Sequence, residues 1–152
     1  MRAHLPLQVQ KFLQATAGLL PSRLSRPLRA AQAELCRSLH LAFRLASTHQ
    51  RTVVLEPLRK PAKGGISVTL PAGVCWGRPS AVPLPPILAD SGWRSWRPRP
   101  ITVMPQRRAS ANVWFVHHGQ EALCLCLHLT GSVELLRYRP LFGAWVPCQG
   151  LD

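Results

Sequence analysis

The chain has 152 residues, which is enough for one ordinary domain and hardly for two. Nineteen Lys and Arg face six Asp and Glu, and the net charge of +13 at pH 7 favours partners such as nucleic acid, anionic membrane surfaces or acidic proteins. No apolar run approaches the ~18 residues of a membrane span, and no phosphate-binding glycine loop, nucleophile elbow or zinc-protease motif is present. The sequence therefore predicts a protein that is not an enzyme and has no cofactor or small-molecule substrate.

The first segment, residues 1–51, is predicted to be basic and helical. Apolar side chains recur at helical spacing over residues 6–20, between a proline suited to a helix start and a glycine suited to an end. Residues 27–47 have the clearer pattern, because Pro27 fits the first turn of a helix and the apolar residues that follow share one face. Two N-terminal helices are therefore expected, over residues 6–20 and 27–47.

The second of these helices is predicted to have an arginine face opposite its apolar face. At 100° per residue, four arginines fall within a sector of about 80°: Arg29, Arg37, Arg44 and Arg51. Guanidinium groups bind phosphates and carboxylates through paired hydrogen bonds, so this face is the first predicted polyanion-binding site.

The same basic N-terminus supports an alternative hypothesis, a mitochondrial presequence of about forty residues. No acid precedes Glu34, whereas Arg and Lys occur throughout, and transit peptides are rich in Arg and poor in acids. The five cysteines are an odd number at irregular spacing, which favours reduced thiols in an intracellular protein. Mitochondria and nucleus are the two locations that the sequence leaves open.

Residues 52–110 are predicted to be a linker of low structure that is rich in Pro and Arg. Ten of the fifteen prolines fall between Pro57 and Pro105, and this density predicts polyproline II or disorder, with short strands at most. The linker contains the second predicted polyanion-binding site, where aromatic rings alternate with guanidinium groups: Trp93, Arg94, Trp96, Arg97 and Arg99. Ser110, which follows two arginines, has the sequence context of a phosphorylation site.

Residues 111–152 form an apolar segment that is predicted to be rich in β-structure. Leucines alternate with other residues over 123–129, as in a strand, and a short β-meander is expected over 112–147, with a helix over 120–129 as the alternative. Cys124, Cys126 and His128 would share one face of that strand. They are therefore the one predicted metal site, which would make this segment a small zinc-stabilised module.

These observations together predict a mostly disordered or irregular chain with α+β elements. Its expected function is the binding of polyanions or of a partner protein through the arginine face. The presequence and the zinc module are the two alternatives.

Overall fold

The structure, a computed structural model, describes residues 24–89 and 97–148. Within these ranges the chain forms one long helix, α1 (Arg26–His49), one single-turn helix, α2 (Pro86–Ala89), and nine short strands. The strands are β1 (Val53–Glu56), β2 (Ile66–Ser67), β3 (Cys75–Trp76), β4 (Ile101–Met104), β5 (Arg108–Ala109), β6 (Asn112–His118), β7 (Glu121–Leu127), β8 (Val133–Arg139) and β9 (Ala144–Pro147).

The strands form two sheets. A four-stranded sheet has the order β2-β1-β4-β5, in which β1 and β2 are parallel and the other pairs are antiparallel. A five-stranded antiparallel sheet has the order β3-β6-β7-β8-β9, so β6 to β9 form a meander. A hydrogen bond of 3.3 Å from the N–H of Ala109 to the carbonyl oxygen of Leu129 links the two sheets.

Helix α1 forms because its apolar residues recur on one side, and because residues that favour a helix start and a helix end lie at its two ends. A proline occupies the first turn, and Gln50 ends the helix in the left-handed conformation. Along the buried face, Ala31, Ala42 and Ala46 are fully buried, and these small side chains let the helix lie close to both sheets. The helix expected over 27–47 is thus present as Arg26–His49, and the helix expected over 6–20 lies outside the described residues.

The five-stranded sheet is covered on both faces because β7 alternates two kinds of apolar side chain. Leu123, Leu125 and Leu127 belong to the core beneath α1. The cysteines between them face the other way, into a second cluster with Phe115 and Leu88. The indole N–H of Trp145 closes this side by donating to the carbonyl oxygen of Pro83 at 2.8 Å. The expected meander over 112–147 is present, and the alternative helix over 120–129 is wrong.

The prediction of a mostly disordered or irregular chain is wrong, because the prolines of the middle segment border strands and turns instead of interrupting them. Pro57 follows β1, and Pro100 and Pro105 lie directly before and after β4. Two further prolines accept turn hydrogen bonds through their carbonyl oxygens, from the N–H groups of Val74 and Val82. Proline lacks an N–H donor but is compatible with strand ends and turns, so a high proline content is consistent with nine short strands.

The excess positive charge also does not prevent a core, contrary to the expectation of intrinsic disorder. The arginines of α1 point into solvent, where like charges are screened, and the apolar residues supply the interior. One core cluster contains Leu28, Val53, Ile101 and Trp114, so it draws on all three segments that the sequence divided. Removal of this common apolar surface from water stabilises the contacts between the three segments.

Candidate functional site

The solvent-exposed side of α1 is the surface on which the predicted arginines meet. Arg29, Arg37 and Arg44 are all exposed there, and the sixteen residues from the first to the last span about 22 Å of helix. The opposite side of the same helix is buried, with Leu28 and Leu35 at 0% and 2% exposure. The packing of the apolar side therefore fixes the direction in which the guanidinium groups point. We call this surface the arginine face.

The arginines of this face differ in their partners. Arg37 forms a salt bridge of 2.9 Å with Glu34, the one acid of α1. The same carboxylate accepts a hydrogen bond from the hydroxyl of Ser38, which is fully buried. Within the described ranges, the guanidinium groups of Arg29 and Arg44 have neither a hydrogen-bond partner nor an ion-pair partner. These two side chains can bind an incoming anion without breaking an existing contact.

The arginine face continues beyond the end of α1 onto the loop between β1 and β2. Arg51 lies just after the helix, and its Nη1 donates to the carbonyl oxygen of Gly64 at 3.1 Å. This contact brings the exposed Lys63 next to the end of the face. The sequence pattern did not reveal the role of the loop, because the contact joins residues thirteen positions apart that do not share a helix.

A contact with the five-stranded sheet holds the other end of α1. Ser25 occupies the N-cap position, but its side chain makes no capping hydrogen bond and its hydroxyl oxygen is buried without a partner in the described structure. Instead, its backbone N–H donates to Oε1 of Glu121 at 3.0 Å. A carboxylate at the start of a helix is favourable because the helix dipole is positive there. Glu121 thus helps to fix the orientation of the arginine face.

No known protein family, curated protein or solved structure matches this chain. No helix in the described part is both long and apolar enough to cross a membrane, which agrees with the expectation from the sequence.

The second predicted polyanion-binding site is described only in part. Trp93, Arg94 and Trp96 lie outside the described residues. Arg97 and Arg99 are exposed just before β4, and the backbone carbonyl oxygen of Arg99 accepts the indole N–H of Trp114 at 2.7 Å. Because β4 runs antiparallel to β1, these two arginines lie near the end of β1 that is farther from Arg51. The described residues thus do not join this site to the arginine face.

Ser110, the predicted phosphorylation site, is tied to the four-stranded sheet. Its hydroxyl oxygen accepts a hydrogen bond of 3.0 Å from the N–H of Thr102, and its own N–H donates to the carbonyl oxygen of Thr102 at 2.9 Å. The side chain is half-buried. A kinase would have to break the first of these bonds to modify the hydroxyl, and phosphorylation of Ser110 stays a prediction.

The structure brings together two of the three predicted metal ligands. The Sγ atoms of Cys124 and Cys126 lie 3.7 Å apart on the buried outer face of β7. The hydrogen bond with Cys126 and burial raise the pKa of the Cys124 thiol, which opposes the thiolate that zinc requires. His128 instead lies 3.8 Å from a carboxylate oxygen of Glu134. In residues 24–89 and 97–148, no three Cys, His, Asp or Glu residues form a group that could hold a metal.

Proposed function

We propose that this protein is a non-enzymatic nucleic-acid-binding protein that contacts phosphate groups through the arginine face of α1. The observation that carries the proposal is the exposure of Arg29, Arg37 and Arg44 along one side of a helix that the core holds in place. Guanidinium groups bind phosphate oxygens in a bidentate manner, and backbone phosphates repeat at short intervals along a nucleic acid. Contacts of this kind give affinity without a preference for base sequence.

Nucleic acid is favoured over a membrane surface because the core already uses the apolar side of α1. An amphipathic helix that lies on a membrane inserts its apolar side among the lipid chains. Here that side is buried against the two sheets, with Leu28, Ala31 and Ala42 all at 0% exposure. Insertion would require the helix to leave the core, whereas electrostatic contact with phosphates requires no such change.

The test is a salt titration of binding to a random-sequence DNA duplex. We compare the wild type with an Arg29→Gln/Arg44→Gln variant and with a matched control, Arg99→Gln/Arg108→Gln. The control removes two exposed positive charges, one just before β4 and one in β5, that lie outside the arginine face and outside the loop between β1 and β2. Each lost phosphate contact lowers the slope of log K against log salt by about 0.9, so the first variant should lower the slope by about 2. The control should change it by much less.

Two results would contradict the proposal. If both variants lower the slope equally, the net charge and not the arginine face determines binding. If the wild type does not bind duplex or single strands at low salt, the protein does not bind nucleic acid through phosphates. Binding to anionic vesicles that is stronger than binding to DNA, and that is lost in the Arg29→Gln/Arg44→Gln variant, would assign the face to membranes instead.

The packing of α1 also bears on the presequence hypothesis. Removal of about forty residues would delete the first part of α1, including Leu28, Leu35 and Leu39, which are buried in the core. A cleaved chain would lose this apolar contact with both sheets. The intact mass of the mature protein gives the size of any N-terminal peptide that has been removed, and this measurement tests the hypothesis directly.

A further inference from the structure

A cavity of about 330 Å³ opens beside the arginine face, between α1 and the hairpin formed by β7 and β8. Helix α1 contributes Cys36, Leu39 and Phe43, and the hairpin contributes Leu125 and Val133. His40, which is exposed, also lines the cavity. The volume is within the range of ~300–1,000 Å³ that is usual for sites that bind small ligands.

Two arginines of the face are sequence neighbours of residues that line the cavity, although neither of them lines it. Arg37 directly follows Cys36 and Arg44 directly follows Phe43, so the two arginines are about 10 Å apart along the helix, at the two ends of the cavity lining. His40 lies between them on the same side of α1. A ligand that fills the cavity would therefore have the arginine face along one side of it.

The lining suits a flat, uncharged ring. The Phe43 ring is half-buried at one wall, and Leu39, Leu125 and Val133 provide aliphatic walls. Burial raises the pKa of the Cys36 thiol, so this side chain is uncharged at neutral pH. Unstacked nucleobases in single strands bind in this way, on aromatic side chains within basic grooves.

We propose that this cavity receives one nucleobase of a single-stranded nucleic acid while Arg44, whose side chain has no partner among the described residues, contacts a neighbouring phosphate. The inference rests on the proposed function and specifies its substrate as single-stranded. A duplex keeps its bases stacked and paired, so it can use the arginine face but not the cavity.

The first experiment compares two single strands on the wild-type protein. One is a thymidine oligonucleotide, and the other is a sugar–phosphate strand of the same length without bases. Their charges are equal, so phosphate binding alone predicts equal affinity. A stacked base contributes enough free energy that the strand without bases should bind about tenfold more weakly.

The second experiment tests the cavity with a Phe43→Leu variant and a matched control, Phe142→Leu. Phe142 is 47% exposed in the turn after β8, at the opposite end of that strand from Val133. The Phe43→Leu variant should lose most of the difference in affinity between the two strands. Its affinity for the strand without bases should stay the same. The control should behave as the wild type does.

A third measurement locates the bound strand by alkylation. The thymidine strand should slow the reaction of iodoacetamide with Cys36 in the cavity and leave that of Cys75, which is exposed on β3, unchanged. Equal affinity of the wild type for the two strands, with no protection of Cys36, would overturn the cavity inference and leave phosphate binding intact. Failure of both strands to bind would instead overturn the proposed function.

Discussion

Replacing Glu121 by Gln tests whether one carboxylate fixes the start of α1. The backbone N–H of Ser25 donates to this carboxylate at 3.0 Å, and the Ser25 side chain makes no capping hydrogen bond. Hydrogen bonds to charged groups contribute about 1.5–3 kcal/mol, and a charge at a helix end adds about 0.3–1 kcal/mol. Gln keeps an acceptor oxygen but loses the charge, so the free energy of unfolding should fall by about 1–2 kcal/mol.

Thermal unfolding followed by circular dichroism measures this loss. For a chain of this length, 1–2 kcal/mol corresponds to a decrease in Tm of about 2–8 °C. The matched control is Glu134→Gln on β8, because the Glu134 side chain is 51% exposed and its nearest basic group, Nε2 of His128, is 3.8 Å away. This control should change the free energy of unfolding by less than about 0.5 kcal/mol. Equal effects of the two substitutions would refute the role assigned to Glu121.

Three further predictions concern the core, a turn and a buried thiol. Leu35→Ala should lower the free energy of unfolding by about 2–5 kcal/mol in chemical denaturation, whereas Leu58→Ala, at an exposed position, should lower it by less than about 0.5 kcal/mol. Gly131→Ala should destabilise more than Gly119→Ala, because both glycines have positive φ but only at Gly131 would a Cβ overlap a neighbouring carbonyl oxygen; equal Tm values would contradict this. Burial raises the pKa of the Cys148 thiol from 9.0 to about 11, so the folded chain holds this proton more tightly than the unfolded chain does. The resulting contribution to the free energy of unfolding is present below pH 9 and is lost as the pH rises towards 11. In denaturation curves across that interval, Cys148→Ala should therefore show a smaller decline in stability than the wild type.

The elements that the sequence predicts well are those with a local pattern. The helix Arg26–His49 follows from the 3.6-residue spacing of its apolar residues and from Pro27 in its first turn. The meander follows from the alternation of leucines in β7 and from the turns on either side. In both cases the pattern depends on residues within about ten positions of one another, so it can be recognised from the sequence alone.

The four-stranded sheet could not be predicted in this way. Its strand β1 pairs with β4, and Leu55 lies opposite Ile101, a pairing that no local pattern specifies. The prolines between these strands suggested disorder, although several of them lie in turns, where their carbonyl oxygens accept backbone hydrogen bonds. Similarly, the arginine face could be predicted as a stripe on a helix, but the cavity beside it could not, since Leu125, Gly131 and Val133 of the β7–β8 hairpin line it together with α1.

The length of the outermost strands has a consequence for how copies of this chain meet one another. In the two sheets as described, β2, β3 and β5 have two residues each and β9 has four. Strand β9 also ends at Pro147, which has no N–H to offer a neighbouring backbone. Unpaired backbone at a sheet border is the usual template for self-association, and short borders offer little of it. Association of folded copies through these sheet borders is therefore disfavoured.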